Sequence, residues 1–377
     1  MTPAERDGIV LPRYGEDSLG EVLPSVLGAL GVRGEVDVLG LPPAERYCVL
    51  LVDGLGWRQL NAHPSLAPFL TSMRGRPITA GVPTTTAASL TSFGTGLPPG
   101  RHGVVGYTTR LPGTKDAVFN ALKWDKSVDP VSYQPHPTVF ERAARAGVAV
   151  TVLGEREFKH SGLTRAGLRS DGFRVADTPG VRVALAQQAC EPAAPSLVYV
   201  YDGDLDYTGH QAGWRSDAWR YQLAFLDRFV EQLHAALPDG TVLLVTADHG
   251  MVDVAADKRI DVDDVPDMYA GVDLVAGEPR FRHLYTADGA AGDVRAAWDE
   301  TLGDRAVALS REDAVAAGWF GAVESRVLER IGDVVVAVNG DCAVERRHVF
   351  PVEGKLVGLH GALTADEMLI PLLTLPA

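Results

Sequence analysis

The sequence predicts an α/β fold in which a mostly parallel sheet is covered by helices on both faces. Two observations carry this. Four short runs, Tyr47–Val52, Val148–Leu153, Ser196–Tyr201 and Thr241–Thr246, are nearly continuous in apolarity and rich in β-branched residues, as strands buried on both faces are. Helical stretches separate them: Ser216–Leu237 carries Trp219, Leu223, Leu226, Val230 and Leu233 at helical spacing. Strand–helix–strand alternation builds parallel sheets, because a parallel crossover needs a connection of helix length.

Each run ends in a polar or glycine-rich turn. Tyr47–Val52 leads into Asp53-Gly54, Val148–Leu153 into Gly154, Ser196–Tyr201 into Asp202-Gly203, and Thr241–Thr246 into Ala247-Asp248-His249-Gly250. Acidic residues thus fall just past three strand ends, on the carboxyl edge where open α/β sheets bind ligands. Ahead of the first strand, residues 1–40 read as an N-terminal arm with one helix over Leu19–Leu30, whose first turn Pro24 disfavours. Val252–Ala270 is acidic and loop-like. Gly277–Arg346 mixes short strands with amphipathic helices such as Ala290–Leu302 and Arg311–Gly318. The pattern predicts a main domain of residues 41–255 and 347–377, interrupted by an inserted α+β subdomain at 256–346.

Composition narrows the partners. In 377 residues, 46% hydrophobic and 22% charged content are ordinary globular values. The net charge of −14 argues against duplex nucleic acid and anionic membrane, which select a basic face. A small anionic substrate is compatible with it, provided a metal centre supplies local positive charge. Cys48, Cys190 and Cys342 are far apart and form no CxxC, which fits a reducing compartment. The segment Met1–Asp7 has no basic stretch followed by an apolar one, no run reaches the ~18 apolar residues of a membrane span, and no Asn-x-Ser/Thr site occurs. The expectation is a cytoplasmic protein.

Candidate metal ligands gather at the strand ends. Asp206 and His210 lie four residues apart, Asp248 and His249 are adjacent, Asp53 ends another strand, and His360 sits in the turn Gly358-Leu359-His360-Gly361. Imidazole with carboxylate suits zinc, with manganese or iron as alternatives. Among 49 acidic residues and 10 histidines, either pair alone is expected by chance; joint placement at strand ends marks the set. Asp202-Gly203-Asp204-Leu205-Asp206 imitates the start of an EF-hand loop, but Tyr207 holds the glycine position and Gly213 that of the bidentate glutamate, which argues against calcium. The turn Pro83-Thr84-Thr85-Thr86 before Ala87-Ala88-Ser89-Leu90 reads as a helix N-terminus, which favours anions. A hydroxyl there, ionised by a metal, is a nucleophile for phosphorus. By local spacing, simple N-capping by Thr84 or Thr86 is the stronger reading. His102 reads as a turn or core histidine.

The order of these residues reverses that balance. Leu51-Val52-Asp53-Gly54, Pro83-Thr84-Thr85-Thr86, Thr95-Gly96 with His102-Gly103, Asp206-x-x-Gly209-His210, Thr246-Ala247-Asp248-His249-Gly250-Met251 and Gly358-Leu359-His360-Gly361 resemble the alkaline phosphatase superfamily. Within it the chain resembles the type I phosphodiesterase/nucleotide pyrophosphatase family. The resemblance implies an alkaline-phosphatase-like three-layer sandwich, with residues 41–255 and 347–377 as the catalytic domain. It implies two divalent metal ions, zinc with manganese as the alternative. Asp206, His210 and His360 would hold the first; Asp53, Asp248 and His249 the second, with Thr86 bound to it as alkoxide. Such ions lie about 4 Å apart and clamp attacking and leaving oxygens. Transfer would run in line through a covalent phosphothreonine. The implied substrate is a small phosphoester, a nucleotide among the candidates, with no duplex nucleic acid and no membrane as partner.

Two departures concern the substrate. Where the family commonly has an Asn that holds a phosphoryl oxygen, this chain has Tyr107; where its nucleophile loop often has Asn, this chain has Ser89. Tyr107 and Ser89 are therefore candidate substrate contacts, as are Asn120, Lys123 and Trp124, in a segment placed for leaving-group contacts. Trp124 either stacks on a base or packs the core. No phosphate-clamping Arg stands in the strand-end motifs, which favours diesters over the more charged monoesters. A phosphomonoesterase and a phosphonoacetate-hydrolase-like enzyme share the same ligand pattern, and a metal-bound ligand-binding protein without catalysis is the non-enzyme alternative.

Overall fold

The computed structural model describes residues 5–6, 8–191 and 195–376; the remainder of the expected arm, residues 1–4 and 7, lies outside them. Seven strands form the central sheet, in the order Arg74–Thr79, Leu369–Pro376, Thr241–Ala247, Arg46–Val52, Ser196–Asp202, Ala149–Gly154, Phe173–Val175. The last five pair in parallel, and Leu369–Pro376 is antiparallel to both its neighbours. The four strands read from the sequence occupy the middle of this sheet. The other three escape a reading of apolar runs. Arg74–Thr79 and Phe173–Val175 are edge strands with polar residues, and Leu369–Pro376 carries Pro371 opposite Pro77, residues that break ladder hydrogen bonding.

Every residue from Tyr47 to Val52 is fully buried, which requires cover on both faces of a pleated strand. On one face, Phe93 and Phe140, from helices Thr86–Thr95 and Val139–Arg145, pack on Tyr199 with centroids 5.1 and 5.8 Å apart. Helices Pro179–Cys190 and Asp217–Ala236 pack against each other, and the first of them against the central strands. The long helix buries Trp219, Leu223, Leu226, Val230 and Leu233, the stripe expected from its spacing. Among the described residues, no helix is long and apolar enough to cross a membrane.

The segment read as an arm is built into the core. A 3-10 turn, Leu19–Glu21, precedes helix Val22–Ala29, and Leu19, Val22, Leu23, Val26 and Leu27 are buried in the same apolar cluster as the central strands. Pro24 falls in the first helical turn, where the absent N–H breaks no helical bond. Within the segment expected as an insertion, residues 256–346, lies an antiparallel sheet in the order Val272–Glu278, Phe281–Thr286, Val334–Val338, Ala306–Ser310, with helix Ala291–Leu302 packed on it. It has its own core around Val294, Trp298 and Leu302. A further cluster containing Val82, Val105, Phe281, Leu363 and Met368 joins the insertion to the loops that flank the strand ends.

Candidate active site

Register brings the strand-end residues together. Ala247, Val52 and Asp202 are paired across three neighbouring strands. Asp248 and Asp53 therefore leave adjacent strands side by side, and Asp206 follows in the first turn of helix Asp204–Ala212. His249 Nε2 lies 3.3 Å from Asp248 Oδ2, 3.4 Å from Asp53 Oδ1 and 3.3 Å from Thr86 Oγ1. His210 Nε2 lies 3.3 Å from Asp206 Oδ2 and 3.2 Å from His360 Nε2. Ligand atoms of Asp53, Asp248 and His249 fall within 4.8 Å of one another, as do those of Asp206, His249 and His360. His249 thus adjoins both groups, and its ring stacks on His360 at 3.6 Å.

The donor chemistry of this cluster fits cations. Nδ1 of His210, His360 and His249 lies 2.7, 2.8 and 3.0 Å from the carbonyls of Gly358, Thr84 and Gly250. A carbonyl only accepts, so each Nδ1 carries the hydrogen and each Nε2 presents a lone pair to the cluster. Two such lone pairs face each other at 3.2 Å between His210 and His360. Asp53 Oδ1, Asp206 Oδ1 and Asp248 Oδ2 are shielded from solvent without a hydrogen-bond partner among the described residues. Burying carboxylates unpaired costs several kcal/mol each, and the nearest nitrogens to these three oxygens, Nε2 of His249 and His360 at 3.3 to 3.9 Å, present lone pairs and not protons. Burial pushes Asp206 and Asp248 up to about 7 and drives Asp53 well above the usual carboxylate range, with the Asp248 charge adding to it. Burial also pushes His249 down to about 3 and His360 well below its ordinary value, where His249 contributes.

Thr86 is the first residue of helix Thr86–Thr95, and no side chain caps that end. Neither capping expectation holds. Thr84 Oγ1 donates to the Ala362 carbonyl at 2.8 Å and accepts from Gly361 N–H at 3.0 Å, so it ties the threonine turn to the His360 loop. The Thr86 hydroxyl faces His249 Nε2 instead. At its far end the helix stops at Gly96, whose φ of 72° is left-handed and whose N–H donates to Ser92.

Of the expected substrate contacts, none of Tyr107, Ser89, Asn120 and Trp124 lines the cavity beside Thr86. The Tyr107 N–H donates to Glu278 Oε2 at 3.0 Å, so its backbone is tied to strand Val272–Glu278. Asn120 Oδ1 accepts from Leu122 and Lys123 N–H, both at 2.9 Å, which closes a turn. Trp124 packs edge-on against Phe119 and Tyr133, and Nε1 donates to Val128 at 2.8 Å; of its two readings, the core is the one observed. Ser89 is fully buried in the helix. The cavity-facing residue of that segment is Leu122. His102 is a core histidine, bonded to Ser92 Oγ at 2.9 Å and accepting from Val104 N–H. Asp202, the first position of the EF-hand imitation, pairs with the buried Arg182 at 2.5 Å.

The sequence concealed the residues behind the candidate ligands. Tyr201 donates to Asp53 Oδ2 at 2.5 Å. Arg280, at the hairpin turn of the insertion, grips Glu367 through Nε at 2.8 Å and Nη2 at 2.7 Å, both residues fully buried. Glu367 Oε1 accepts from Ala362 N–H at 2.9 Å, and its carbonyl accepts from Gly250 N–H at 2.8 Å. The insertion thereby braces the loops that carry His360 and His249. Tyr201 was visible only as the last tyrosine of a strand, and nothing local pairs Arg280 with a residue 87 positions on.

A profile described as "Type I phosphodiesterase / nucleotide pyrophosphatase" matches residues 47–363. The chain belongs to this family. Its members hydrolyse phosphoester bonds and depend on metal ions. No curated protein sequence matches this phosphodiesterase family member. Its fold is similar to that of murine ectonucleotide pyrophosphatase/phosphodiesterase 5, at 17% identity and a TM-score of 0.68, with 87% of each chain covered. An inactive threonine-to-alanine variant of that mouse protein in complex with AMP gives 17% identity and 0.69 over the same shares. The human counterpart gives 16% and 0.65, again with 87% of each chain. These likenesses show the alkaline-phosphatase-like fold with its mostly parallel seven-stranded sheet.

Proposed function

We propose that this chain hydrolyses phosphodiesters with Thr86 as the nucleophile and two divalent ions, zinc with manganese as the alternative, as cofactors. The observation that carries the reading is the position of the Thr86 hydroxyl. It opens an uncapped helix and faces His249 Nε2 at 3.3 Å, beside Asp53 and Asp248, each with one buried oxygen that has no hydrogen-bond partner among the described residues. Asp53, Asp248 and His249 would hold the ion next to Thr86, and Asp206, His210 and His360 the other. When bound, the ions supply Lewis-acid stabilisation of the attacking and leaving oxygens. Two divalent ions also match the charge of three carboxylates and one alkoxide.

The chain's own groups do the rest. The Thr86 oxygen attacks phosphorus, the P–O bond to the leaving alcohol breaks on the opposite side, and the alcohol departs with a proton. Water then attacks the phosphothreonine, restoring the hydroxyl and releasing a phosphomonoester. The free N–H groups at the start of helix Thr86–Thr95 would donate to a non-bridging phosphoryl oxygen. Tyr201 orients Asp53, and the carbonyls of Gly358 and Thr84 orient His210 and His360. No Lys or Arg lines the cavity beside Thr86, which suits a diester with its single charge. A nucleotide ester is a second reading, supported by the relative that holds AMP and is inactive after a threonine-to-alanine exchange.

Thr86→Ala tests the proposal on bis(4-nitrophenyl) phosphate. Turnover is expected to fall by at least about a thousandfold while metal content stays near two ions per chain. Near-normal turnover by the variant, or a wild type that cleaves monoesters far faster than diesters, would sink it.

A further inference from the structure

A cavity of about 240 Å³ opens beside Thr86, with Asp53 and Asp206 at the same end. Its wall is Leu90, Leu122, Phe158, Leu163, Leu168 and Phe173, contributed by the nucleophile helix, helix Gly162–Gly167, the sheet edge and the turns between them. No Lys, Arg, Asn or Gln lines it. The polar groups that do are largely spent. Ser161 Oγ accepts from Thr164 N–H at 3.1 Å and bonds its hydroxyl at 3.0 Å, and Tyr201 donates to Asp53. Apart from the candidate ligand carboxylates, the Tyr199 hydroxyl is the one buried side-chain polar atom of the wall left without a partner among the described residues.

In an in-line displacement the leaving group departs on the side away from the nucleophile. A cavity that opens directly beside Thr86 therefore receives a group that stays on phosphorus. Resting on the phosphodiesterase reading, we propose that this cavity holds the retained organic group and that the group is a hydrocarbon-rich alcohol with at most one polar atom, not a nucleoside. A nucleoside would carry ribose hydroxyls and base edges into a mostly apolar wall in which, beyond the candidate ligands, one buried side-chain polar atom stands unpaired among the described residues, and each polar group buried without a partner weakens binding roughly tenfold. A hydrocarbon meets no such penalty and gains about fourfold per methylene removed from water. A cavity of ~150 Å³ takes benzene, so this volume accommodates on the order of eight to ten carbons.

The test uses metal-loaded full-length protein and 4-nitrophenyl alkyl phosphates from methyl to dodecyl, beside 4-nitrophenyl thymidine 5′-phosphate. The expected result is a kcat/KM that climbs about fourfold per methylene, levels off near octyl to decyl, and exceeds that of the thymidine ester there. Leu122→Glu, a change at the exposed rim, flattens the climb. A flat chain-length series with the thymidine ester preferred overturns the inference and leaves the phosphodiesterase reading standing. Failure to cleave any diester overturns the phosphodiesterase reading itself. Octylphosphonate and methylphosphonate, titrated calorimetrically, read the cavity without turnover. Tighter octylphosphonate binding with a negative heat-capacity change supports the inference, and equal affinities overturn it.

Discussion

Replacing Arg280 by Met removes the brace between the insertion and the two ligand loops, and its cost can be worked from the structure. Arg280 and Glu367 are both fully excluded from solvent and joined by two charge-assisted hydrogen bonds at 2.8 and 2.7 Å. Met matches the length of the stem and leaves Glu367 buried without its cation. Breaking one side of a buried pair costs about 3–5 kcal/mol. Most of that is expected here, because Glu367 retains only the Ala362 N–H and the Thr364 hydroxyl as donors. Removing both charges is far less costly, so Arg280→Met with Glu367→Met is expected to recover more than half of the loss. Glu367 orders Ala362, two residues past His360, and Gly250, next to His249. The single variant is therefore also expected to lose about 10- to 100-fold in metal affinity, the usual effect of removing groups behind metal ligands. Urea unfolding of the metal-free proteins reads the first effect, and titration against a chelating dye the second. A single variant within about 1 kcal/mol of wild type, or a double variant less stable than the single, refutes the reasoning about the pair. Unchanged metal affinity in a destabilised variant refutes the link to the ligand loops.

Other outcomes follow from the same geometry. Tyr201→Phe deletes the 2.5 Å bond to Asp53 and should weaken one metal site about 10- to 100-fold with the other unchanged, which stepwise metal titration would resolve. Burial pushes His283 down to about 4. The folded chain thus refuses a proton that the unfolded chain accepts below pH 6.5, and the associated stability is present above 6.5 and lost as pH falls towards 4. His283→Gln should then show a pH 7.5-to-5.0 loss smaller than wild type by about 2 kcal/mol in urea unfolding; equal losses would remove His283 from the account. Chelation should lower the thermal midpoint and readdition of zinc restore it, because ions that bind only the folded state stabilise it by mass action. A midpoint indifferent to chelator would contradict a cation-filled cluster.

The central strands and the long helix were legible because their signals are local. A run of apolar residues marks a strand buried on two faces wherever it occurs, and Trp219 to Leu233 repeat at the helical period. The edge strands Arg74–Thr79 and Phe173–Val175 lack that pattern, and Leu369–Pro376 has the apolar run but carries Pro371, which argues against a ladder strand. The strand-end position of Asp53, Asp248 and Asp206 was equally visible, since a strand's end is read from its own residues. Thr86 stood on the boundary: its local sequence favours a helix cap, and the order of motifs along the chain pointed elsewhere.

What the sequence alone determined, then, is the α/β class, the family, and which side chains stand on the carboxyl edge of the sheet. Tertiary structure decided the rest. It turned Trp124 into the core, because Phe119 and Tyr133 surround it and Val128 takes its indole N–H. It placed Tyr201 behind Asp53 and Arg280 behind Glu367. It also assembled a cavity wall from Leu90, Leu122, Phe158, Leu163 and Phe173. Each of these residues is unremarkable among its neighbours in the sequence. Its role comes from which distant segment the fold sets against it, and that information lies in the packing of the chain and in no local pattern.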